Sequence, residues 1–415
     1  MRRRSFFSTA ASLGVMPLLS KEVRAETKSS GVRITGVEIW RVTGDRDRIE
    51  EYRTAVGHGT IRSLRRLEES HTYIRITTNA GVEGFYGPCE TRAEEAIRNL
   101  LGRSLVGRDP LAVDTIWQRM TSGAHRYTGY HYIIGVSYLD NTLWDLRGKF
   151  FDAPVYKLLG GSRNVLDTYV SCIDQSMEPD RVRESAAELK QEGFFGQKWF
   201  PSRNRRSWGQ KEYEEDVELM RILRETVGPN YDIMIDPLLT WNLTYAMKWC
   251  KDVEQYRPRW LEEPVPTAYQ IGALARLREM TFIPIASGEH NYGMRDAFDL
   301  LNAGAVDVLQ IDPEWGGGIT ELVKICHLAQ LYNVIVCPHN QRVTANYHIV
   351  ASQPEFVCPF VEYLMNVNPN LYYFDKNQIV PKNGQVTIPD LPGLGVELDE
   401  SKVVKRELVW STDNS

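Results

Sequence analysis

Four carboxylates and one histidine recur at regular intervals in the second half of the chain. Each follows or ends a short apolar run, and the five residues are Asp236, Glu262, Glu289, Asp312 and His339. The intervals of 26, 27, 23 and 27 residues each fit one buried parallel strand, one helix and two short loops. Because parallel strands end at the same edge of a sheet, we expect all five side chains to converge at the C-terminal face of an α/β barrel.

Three of these acids, Asp236, Glu262 and Glu289, lie at the ends of consecutive predicted strands. Acids at such positions also cap the helices that follow, but three of them close together would repel each other without a cation. Mg²⁺ prefers oxygen ligands, so we predict a Mg²⁺ site. In the run WLEEP, strand alternation puts Glu262 and Glu263 on opposite faces. We therefore assign Glu262 to the metal and expect Glu263 to bind a lysine or a backbone amide.

His339 and Asp312 end adjacent predicted strands, as expected for a histidine–carboxylate pair. The carboxylate would fix the imidazole tautomer and raise its basicity. Such a base beside a divalent cation suits removal of the proton next to a substrate carboxylate, because the cation stabilises the enediolate that forms. Lys198, on the predicted strand before the one that ends at Asp236, would either meet the substrate and metal-bound oxygens or form a salt bridge with Glu263.

Composition excludes several classes of partner. The chain has 415 residues, 42% apolar and 25% charged residues, and a net charge of −5, which is ordinary for a soluble globular protein. Neither a basic stripe for nucleic acid nor an apolar run long enough to span a membrane is present. We therefore expect a small-molecule partner. The six cysteines lack metal-ligand spacing, and we predict buried thiols, with a disulfide as the alternative if the protein is exported.

The N-terminus differs from the rest of the chain. Arg2, Arg3 and Arg4 precede a mildly apolar run and a small-residue cleavage site that ends at Ala25, an order typical of a twin-arginine signal. We predict a signal peptide over residues 1–30 and a periplasmic location. The alternative is a disordered basic tail on a cytoplasmic protein.

The remaining elements predict two domains and a tail. Residues 31–160 form an α+β capping domain, with two antiparallel strands between Val32 and Asn79 and a mobile loop from Asp45 to Ser70 that could cover a pocket. Residues 161–372 form the barrel, with seven strands from Val165 to Val336 and an eighth over Phe360–Leu364. Residues 373–415 return to the capping domain. The predicted fold class is α/β, a modified TIM (β/α)7β barrel with an N-terminal α+β capping domain.

The motifs together resemble the enolase superfamily, in particular its mandelate racemase subgroup. They cover nearly all of the chain after residue 30: LDNTLWDLRGKFFDAPVYKLLGG, MIDP, WLEEP, SGEH, QID, CPHN and IPDLPGLGVEL. The resemblance implies Mg²⁺ on the three acids, a base made by His339 and Asp312, and a hydrogen bond from Glu362 to the substrate or intermediate. It also implies a homo-oligomer between dimer and octamer.

Within that subgroup the chain looks most like the L-rhamnonate dehydratase-like acid-sugar dehydratases, through GFFGQK, SGEH, PEWGGGIT and VEYLMN. The resemblance implies that His290 assists substrate binding or protonates the leaving group. Racemases of the subgroup carry two lysines spaced by one residue on the second strand, but this chain has Lys198 followed by Trp199 and Phe200. Phe200 cannot accept a proton, so a second base is missing and dehydration is favoured.

We therefore expect Mg²⁺-dependent dehydration of a sugar acid, a rhamnonate-like aldonate, to a 2-keto-3-deoxy acid. His58 and the segment 203–208 are predicted to read the stereochemistry of the sugar. One alternative is epimerisation or cycloisomerisation of a sugar acid or anhydro-sugar acid through the same enolate. A second alternative is a non-catalytic exported sugar-acid-binding protein, although the pair of His339 and Asp312 argues against it because binding alone does not require a base.

Overall fold

The computed structural model describes residues 31–53, 60–122, 130–201, 209–266, 270–340 and 342–413. The predicted signal at residues 1–30 lies outside this range. So do His58 and the segment 203–208, and the roles predicted for them in substrate recognition stay predictions.

The capping domain contains a four-stranded antiparallel sheet. Its strands are β1 (Ile34–Arg53), β2 (Thr60–Thr78), β3 (Gly84–Tyr86) and, from the end of the chain, β13 (Lys405–Ser411), in the order β13-β1-β2-β3. The sequence predicts a mobile loop from Asp45 to Ser70, and this prediction is wrong for the described part of that segment. There β1 and β2 stay paired, from Asp45 opposite Glu68 to Arg53 opposite Thr60. Backbone hydrogen bonds hold such a ribbon without an apolar alternation to reveal it.

A long helix, α4 (Tyr130–Phe150), forms the centre of the capping domain and packs on this sheet. Its residues Val136, Leu139, Leu143 and Leu146 are fully buried, at the helical spacing from which a helix is predicted. The helices of the domain are α1 (Thr91–Ala96), which continues through a π-helical turn at Ile97–Leu101 into α2 (Gly102–Leu105), then α3 (Val113–Ser122), α4 (Tyr130–Phe150) and α5 (Val155–Leu158).

Eight parallel strands form the curled sheet of the second domain, which confirms the predicted fold class. They are β4 (Val165–Ser171), β5 (Gly196–Trp199), β6 (Asp232–Ile235), β7 (Trp260–Glu262), β8 (Ile285–Ser287), β9 (Val308–Leu309), β10 (Ile335–Val336) and β11 (Val361–Leu364). Ladders connect them in the order β10-β9-β8-β7-β6-β5-β4-β11. The helices between them are α6 (Pro179–Gln191), α7 (Gln210–Val227), α8 (Leu243–Val253), α9 (Gln270–Glu279), α10 (Gly293–Asn302), α11 (Gly318–Leu331) and α12 (Val343–Ser352).

Contacts from residues in or next to the two end strands, β10 and β11, bring the two edges of the curled sheet together. The backbone N–H of Val336 donates to the carbonyl of Val357 at 2.7 Å, and the N–H of Asn340 donates to Glu362 Oε2 at 3.1 Å. Large side chains fill the interior, including Tyr169 and Trp260. Loops at the C-terminal ends of the strands are therefore gathered over one rim.

The tail ties the two domains together. After the short helix α13 (Asn368–Leu371), strand β12 (Gln385–Thr387) pairs with β4 of the barrel, and β13 pairs with β1 of the capping domain. All six cysteines are buried free thiols, as predicted. Within the described ranges, every helix is too short or too polar to span a bilayer.

Candidate active site

Three carboxylates converge at the C-terminal ends of neighbouring strands. Asp236 follows β6, Glu262 ends β7 and Glu289 follows β8. They are buried, with 2%, 0% and 7% of their surfaces exposed. Lys198 on β5 lies against this group, with its Nζ 2.5 Å from Glu262 Oε1 and 3.6 Å from Asp236 Oδ2. The three acids thus lie at one rim of the sheet, as the strand spacing predicts, and their role as metal ligands stays a prediction.

The acids repel each other strongly in this buried position. Burial raises the pKa of Asp236 well above its usual value, and the charge of Glu262 adds to that shift. Burial also raises the pKa of Glu289 to about 7. For Lys198, burial opposes the charged form, but Glu262, Glu362 and Asp236 outweigh it and raise the lysine pKa. One ammonium among so many carboxylates leaves an excess of negative charge.

This donor set fits a hard divalent cation. Neighbours orient the carboxylates: Leu238 N donates to Asp236 Oδ1 at 2.8 Å, and Gln310 Nε2 donates to Glu262 Oε2 at 2.8 Å. Oriented carboxylate oxygens with excess negative charge are the ligands that Mg²⁺ prefers.

Glu263 lies on the other side of its strand and binds different partners. Its Oε1 accepts hydrogen bonds from Ser287 Oγ at 3.0 Å and from the backbone N–H of Gly288 at 3.0 Å. Its Oε2 lies 2.6 Å from His290 Nδ1. The backbone partner is one of the two predicted for Glu263. The salt bridge considered between Lys198 and Glu263 is wrong: Lys198 pairs with Glu262, Glu362 and Asp236, and Glu263 follows β7 with a φ of +35°.

Among the described residues, the ligand atoms of Glu263, Glu289 and His290 lie within 4.8 Å of one another, and this group does not include Asp236 or Glu262. The oxygens of Glu263 accept from Ser287, Gly288 and, at 3.2 Å, from Gln270 Nε2, and those of Glu262 are engaged by donors in the same way. Burial opposes the charge of Glu263, but the neighbouring His290 and its donors lower the pKa of Glu263. We assign Glu263 to the orientation of His290 because of their contact at 2.6 Å, and Glu262 stays the predicted metal ligand.

The predicted contact between His339 and Asp312 is present. Nδ1 of His339 lies 2.8 Å from Asp312 Oδ2, and both residues are buried. With Nδ1 turned to Asp312, Nε2 is the second ring nitrogen, and it lies 3.4 Å from Glu289 Oε2. Burial opposes the charged imidazolium, but Glu289 and Asp312 outweigh it and raise the pKa of His339 to about 10.

Glu362 lies on β11, the last strand in the sheet order, and its carboxylate is near both Lys198 and His339. Its Oε1 is 2.8 Å from Lys198 Nζ, and the charges of Lys198 and His339 lower its pKa although burial opposes this. Phe200 is also buried, with the Nζ of Lys198 5.5 Å from its ring centroid. The side chain that stands where racemases carry a second lysine is therefore an apolar wall.

The loop after Asp312 contains residues that the sequence did not single out. Trp315 stacks on His339, with ring centroids 5.0 Å apart and 27° between the planes. Its Nε1 donates to Glu90 Oε1 of the capping domain at 2.7 Å. Glu314 is fully buried and accepts a hydrogen bond from the hydroxyl of Tyr86. A second acid two residues after Asp312 was the only sequence signal for this network.

Helix α4 of the capping domain holds the start of α11. Ser137 Oγ accepts from Gly317 N at 2.8 Å, Asn141 Oδ1 from Ile319 N at 3.1 Å, and Asp140 Oδ2 from Thr320 N at 2.9 Å. These bonds satisfy N–H groups at the start of α11 that have no partner inside the helix. The motif LDNTLWD therefore anchors the active-site loop to the capping domain.

The run Gly316–Gly318 allows this close approach. A Cβ on Gly318 would lie 2.5 Å from Asp140 Oδ2, and its φ of +82° lies in the left-handed region. Only glycine fits such a position without strain. Gly318 thereby lets the start of α11 approach the capping domain closely.

Comparisons with known proteins identify the family. Residues 181–402 match the model for the enolase C-terminal domain-like family, and residues 60–160 match the N-terminal domain model for mandelate racemase and muconate lactonizing enzyme. An L-rhamnonate dehydratase from Saccharopolyspora erythraea is 30% identical over 82% of this chain and 83% of its own. A D-galactarolactone cycloisomerase from Agrobacterium fabrum is 31% identical over 83% of this chain and 93% of its own.

A solved structure shares the whole architecture. A racemase from Streptomyces coelicolor with bound magnesium superposes with a TM-score of 0.74 at 24% identity, over 89% of this chain and 98% of the racemase chain. At that identity the likeness concerns the fold. With the two domain matches and relatives at 30% and 31% identity over more than four fifths of its length, the chain belongs to the enolase superfamily, in the family of mandelate racemase and muconate lactonizing enzyme.

Proposed function

We propose that this enzyme removes water from a sugar acid to give a 2-keto-3-deoxy acid. The observation that carries the proposal is a pair of neighbouring histidine–carboxylate contacts, His339 with Asp312 at 2.8 Å and His290 with Glu263 at 2.6 Å. Both rings lie beside Glu289, at 3.4 and 3.3 Å. Elimination needs a base for a carbon-bound proton and an acid for the departing hydroxyl. Two oriented imidazoles in one pocket suit both tasks.

His339 is the proposed base. The charge of Glu289 is the main cause that raises the pKa of His339, and a cation held by Glu289 would offset that charge and leave the ring neutral. Asp312 holds Nδ1–H, so Nε2 of the neutral ring takes the proton from the carbon next to the substrate carboxylate, and the electron pair of that C–H bond forms the enediolate. The enediolate then expels the hydroxyl on the next carbon, and that hydroxyl leaves as water with a proton from His290 or from His339 itself. The enol that remains tautomerises to the 2-keto-3-deoxy acid.

Asp236, Glu262 and Glu289 are the proposed Mg²⁺ ligands. When bound there, Mg²⁺ would supply the positive charge that stabilises negative charge developing on the substrate carboxylate. Lys198 limits the repulsion among the acids and, through its contact with Glu362, links the acids to β11. Glu362 is proposed to hydrogen-bond the substrate or intermediate.

The missing second base supports elimination over racemisation. Racemisation requires a proton-transferring group on each face of the carbanion, and Phe200 offers an apolar ring where a second lysine would be required. The similarity to an L-rhamnonate dehydratase over most of both chains supports the same choice. A rhamnonate-like aldonate is therefore the first substrate to try.

Cycloisomerisation is the second candidate, because the chain is equally similar to a D-galactarolactone cycloisomerase. That reaction can begin with the same proton abstraction and needs no second base on the opposite face. It differs from dehydration in its mass balance, since an isomer keeps the mass of the substrate whereas dehydration loses water.

The test is a screen of the purified protein with MgCl₂ against aldonates, uronate-derived acids and sugar-acid lactones. Semicarbazide detects the keto acid, and mass spectrometry in D₂O separates loss of water from isomerisation with deuterium uptake. His339→Asn is the matched control and should abolish either product. Binding of a sugar acid without turnover of any compound would instead favour the non-catalytic alternative and refute the proposal.

Two further predictions concern the whole protein. The twin-arginine signal over residues 1–30 predicts recovery of the mature chain in the periplasmic fraction, and replacing Arg3 and Arg4 by lysine should retain it in the cytoplasm. The family resemblance predicts a homo-oligomer between dimer and octamer, which light scattering on the purified protein measures directly.

A further inference from the structure

A chain of contacts runs from the capping domain to the proposed base. The hydroxyl of Tyr86, at the end of β3, donates to Glu314 Oε1. The backbone N–H of Glu314 donates to Asp312 Oδ1 at 2.7 Å. Asp312 in turn presents Oδ2 to His339 Nδ1 at 2.8 Å. Four residues from two domains are thus linked in series, and three of them are less than 2% exposed.

Glu314 is joined to Asp312 through its backbone and to Tyr86 through its side chain. Its N–H donates to Asp312 Oδ1 at 2.7 Å, and its Oε1 accepts from the Tyr86 hydroxyl. Burial and the charge of Asp312 raise the pKa of Glu314 well above its usual value. The contact with Tyr86 therefore fixes the residue whose backbone N–H orients Asp312.

Trp315 fixes the same loop at a second point. Its ring stacks on the imidazole of His339, and its Nε1 donates to Glu90 in the capping domain. Two contacts from the capping domain, one from Tyr86 and one from Glu90, thus hold the short segment between Asp312 and Trp315. A carboxylate held this way cannot turn about its side-chain bonds without breaking them.

We propose that Glu314 is a positioning residue which, braced by Tyr86, holds Asp312 and so keeps the His339 imidazole in the orientation for proton transfer. The role rests on the proposed function of His339 as a base. Partners that orient a functional histidine through its carboxylate are worth roughly 10- to 100-fold in activity. Docking of the capping domain would thereby be a condition for an active base as well as a means of covering the pocket.

Three variants separate the parts of this contact chain. Glu314→Gln keeps an acceptor for the Tyr86 hydroxyl, and every variant keeps the backbone N–H that donates to Asp312. Glu314→Leu removes that acceptor, and Tyr86→Phe removes the hydroxyl that donates to it. With a sugar acid identified by the screen, Glu314→Leu should lower kcat roughly 10- to 100-fold with KM close to that of the wild type. Tyr86→Phe should give a smaller loss, and Glu314→Gln should restore most of kcat.

Tyr138→Phe is the matched control. Tyr138 is a second buried tyrosine of the capping domain, tilted against Tyr86 at 6.0 Å, and its hydroxyl accepts from Arg342 Nε at 2.8 Å. Loss of this hydroxyl disturbs the same domain interface without removing a contact of Glu314 or Asp312. If Tyr138→Phe lowers kcat as much as Tyr86→Phe does, the effect is one of general domain docking and the proposal is wrong.

One measurement on the resting protein tests the role without any substrate. In proton NMR of histidine-labelled protein, the His339 Nδ1–H signal, assigned with His339→Asn, should move in Glu314→Leu and Tyr86→Phe and stay in Tyr138→Phe. An unmoved signal in the first two variants overturns the proposal. Failure of the substrate screen with these NMR shifts present would refute the proposed function alone.

Discussion

The two halves of the candidate active site are supported in different ways. The acids at the ends of β6, β7 and β8 are held from inside the barrel, by Lys198 of β5 and its contact with Glu362 of β11. The imidazole of His339 is held by a loop that Tyr86 and Glu90 of the capping domain fix in place. A cluster of like charges requires a buried counter-charge, whereas a proton-transfer group requires a fixed direction. The barrel interior supplies the first, and a second domain is needed for the second.

The substitution with the largest expected effect removes the imidazole of His339 and leaves the three acids in place. His339→Asn keeps a side chain of similar shape but cannot accept the substrate proton, so kcat should fall roughly 10³-fold. Mg²⁺ affinity, measured by calorimetry, should stay close to that of the wild type because the three carboxylates remain. Unchanged turnover, or loss of Mg²⁺ binding together with activity, would show that the two halves are not separable in this way.

Lys198→Met changes the other half of the site, the group of buried acids around Lys198. Removal of a buried cation leaves Glu262, Asp236 and Glu362 without compensation, which should cost about 3–5 kcal/mol in the free energy of unfolding. Urea unfolding of the metal-free protein measures this loss, and added MgCl₂ should restore part of it because the bound cation neutralises the same acids. Lys376→Met, which removes the exposed pair with Glu397 at 3.0 Å, should cost less than about 1 kcal/mol. Equal losses in the two variants would contradict the assignment of Lys198.

Thr320→Val weakens the docking of the capping domain on the barrel. The hydroxyl of Thr320 accepts from Trp144 Nε1 at 2.8 Å and donates to Asp140 Oδ1 at 2.7 Å. Its loss leaves buried polar groups without a partner and should cost about 2 kcal/mol in urea unfolding. We expect kcat to fall with little change in Mg²⁺ affinity. A variant that loses Mg²⁺ affinity first would show that docking supports the acids instead.

The smallest expected effect is a change in the pH dependence of stability that comes from Asp375, next to the capping domain. Burial raises the pKa of Asp375 to about 8, although Tyr73 and Arg342 oppose the shift. The folded state then binds more protons than the unfolded state between about pH 4 and 8, so this residue lowers stability as pH rises, with a slope of up to about 1.4 kcal/mol per pH unit. Asp375→Asn should remove that slope from the unfolding curves. A wild-type slope retained in the variant would assign it to another group.

Much of this organisation could be predicted from residue spacing. The repeating interval from Asp236 to His339 predicts strand ends, and parallel strands must end at one rim, so the convergence of these side chains follows from topology. The contact between His339 and Asp312 follows because their strands are adjacent. The alternation of Glu262 and Glu263 to opposite sides is also a local property of a strand.

Other predictions failed where pairing leaves no local signal. The segment from Asp45 to Ser70 has little apolar alternation, yet its described part forms a paired ribbon, since backbone hydrogen bonds require no particular side chains. The partner of Lys198 could not be chosen from the sequence either. Glu262 and Glu263 are adjacent in the chain, and only the tertiary structure shows that Glu262 is the one that faces the ammonium of Lys198.

The sequence by itself determined the barrel, the three acids and the contact of His339 with Asp312, because each depends on periodicity within one chain segment, and the family resemblance added that Phe200 stands where racemases carry a second lysine. Only the tertiary structure decided what supports His339. Tyr86 and Glu314 are 228 residues apart, and Glu90 and Trp315 are 225 apart. Contacts of that separation depend on how two domains dock, and docking is set by the shapes of both surfaces together, which no periodicity along the chain records.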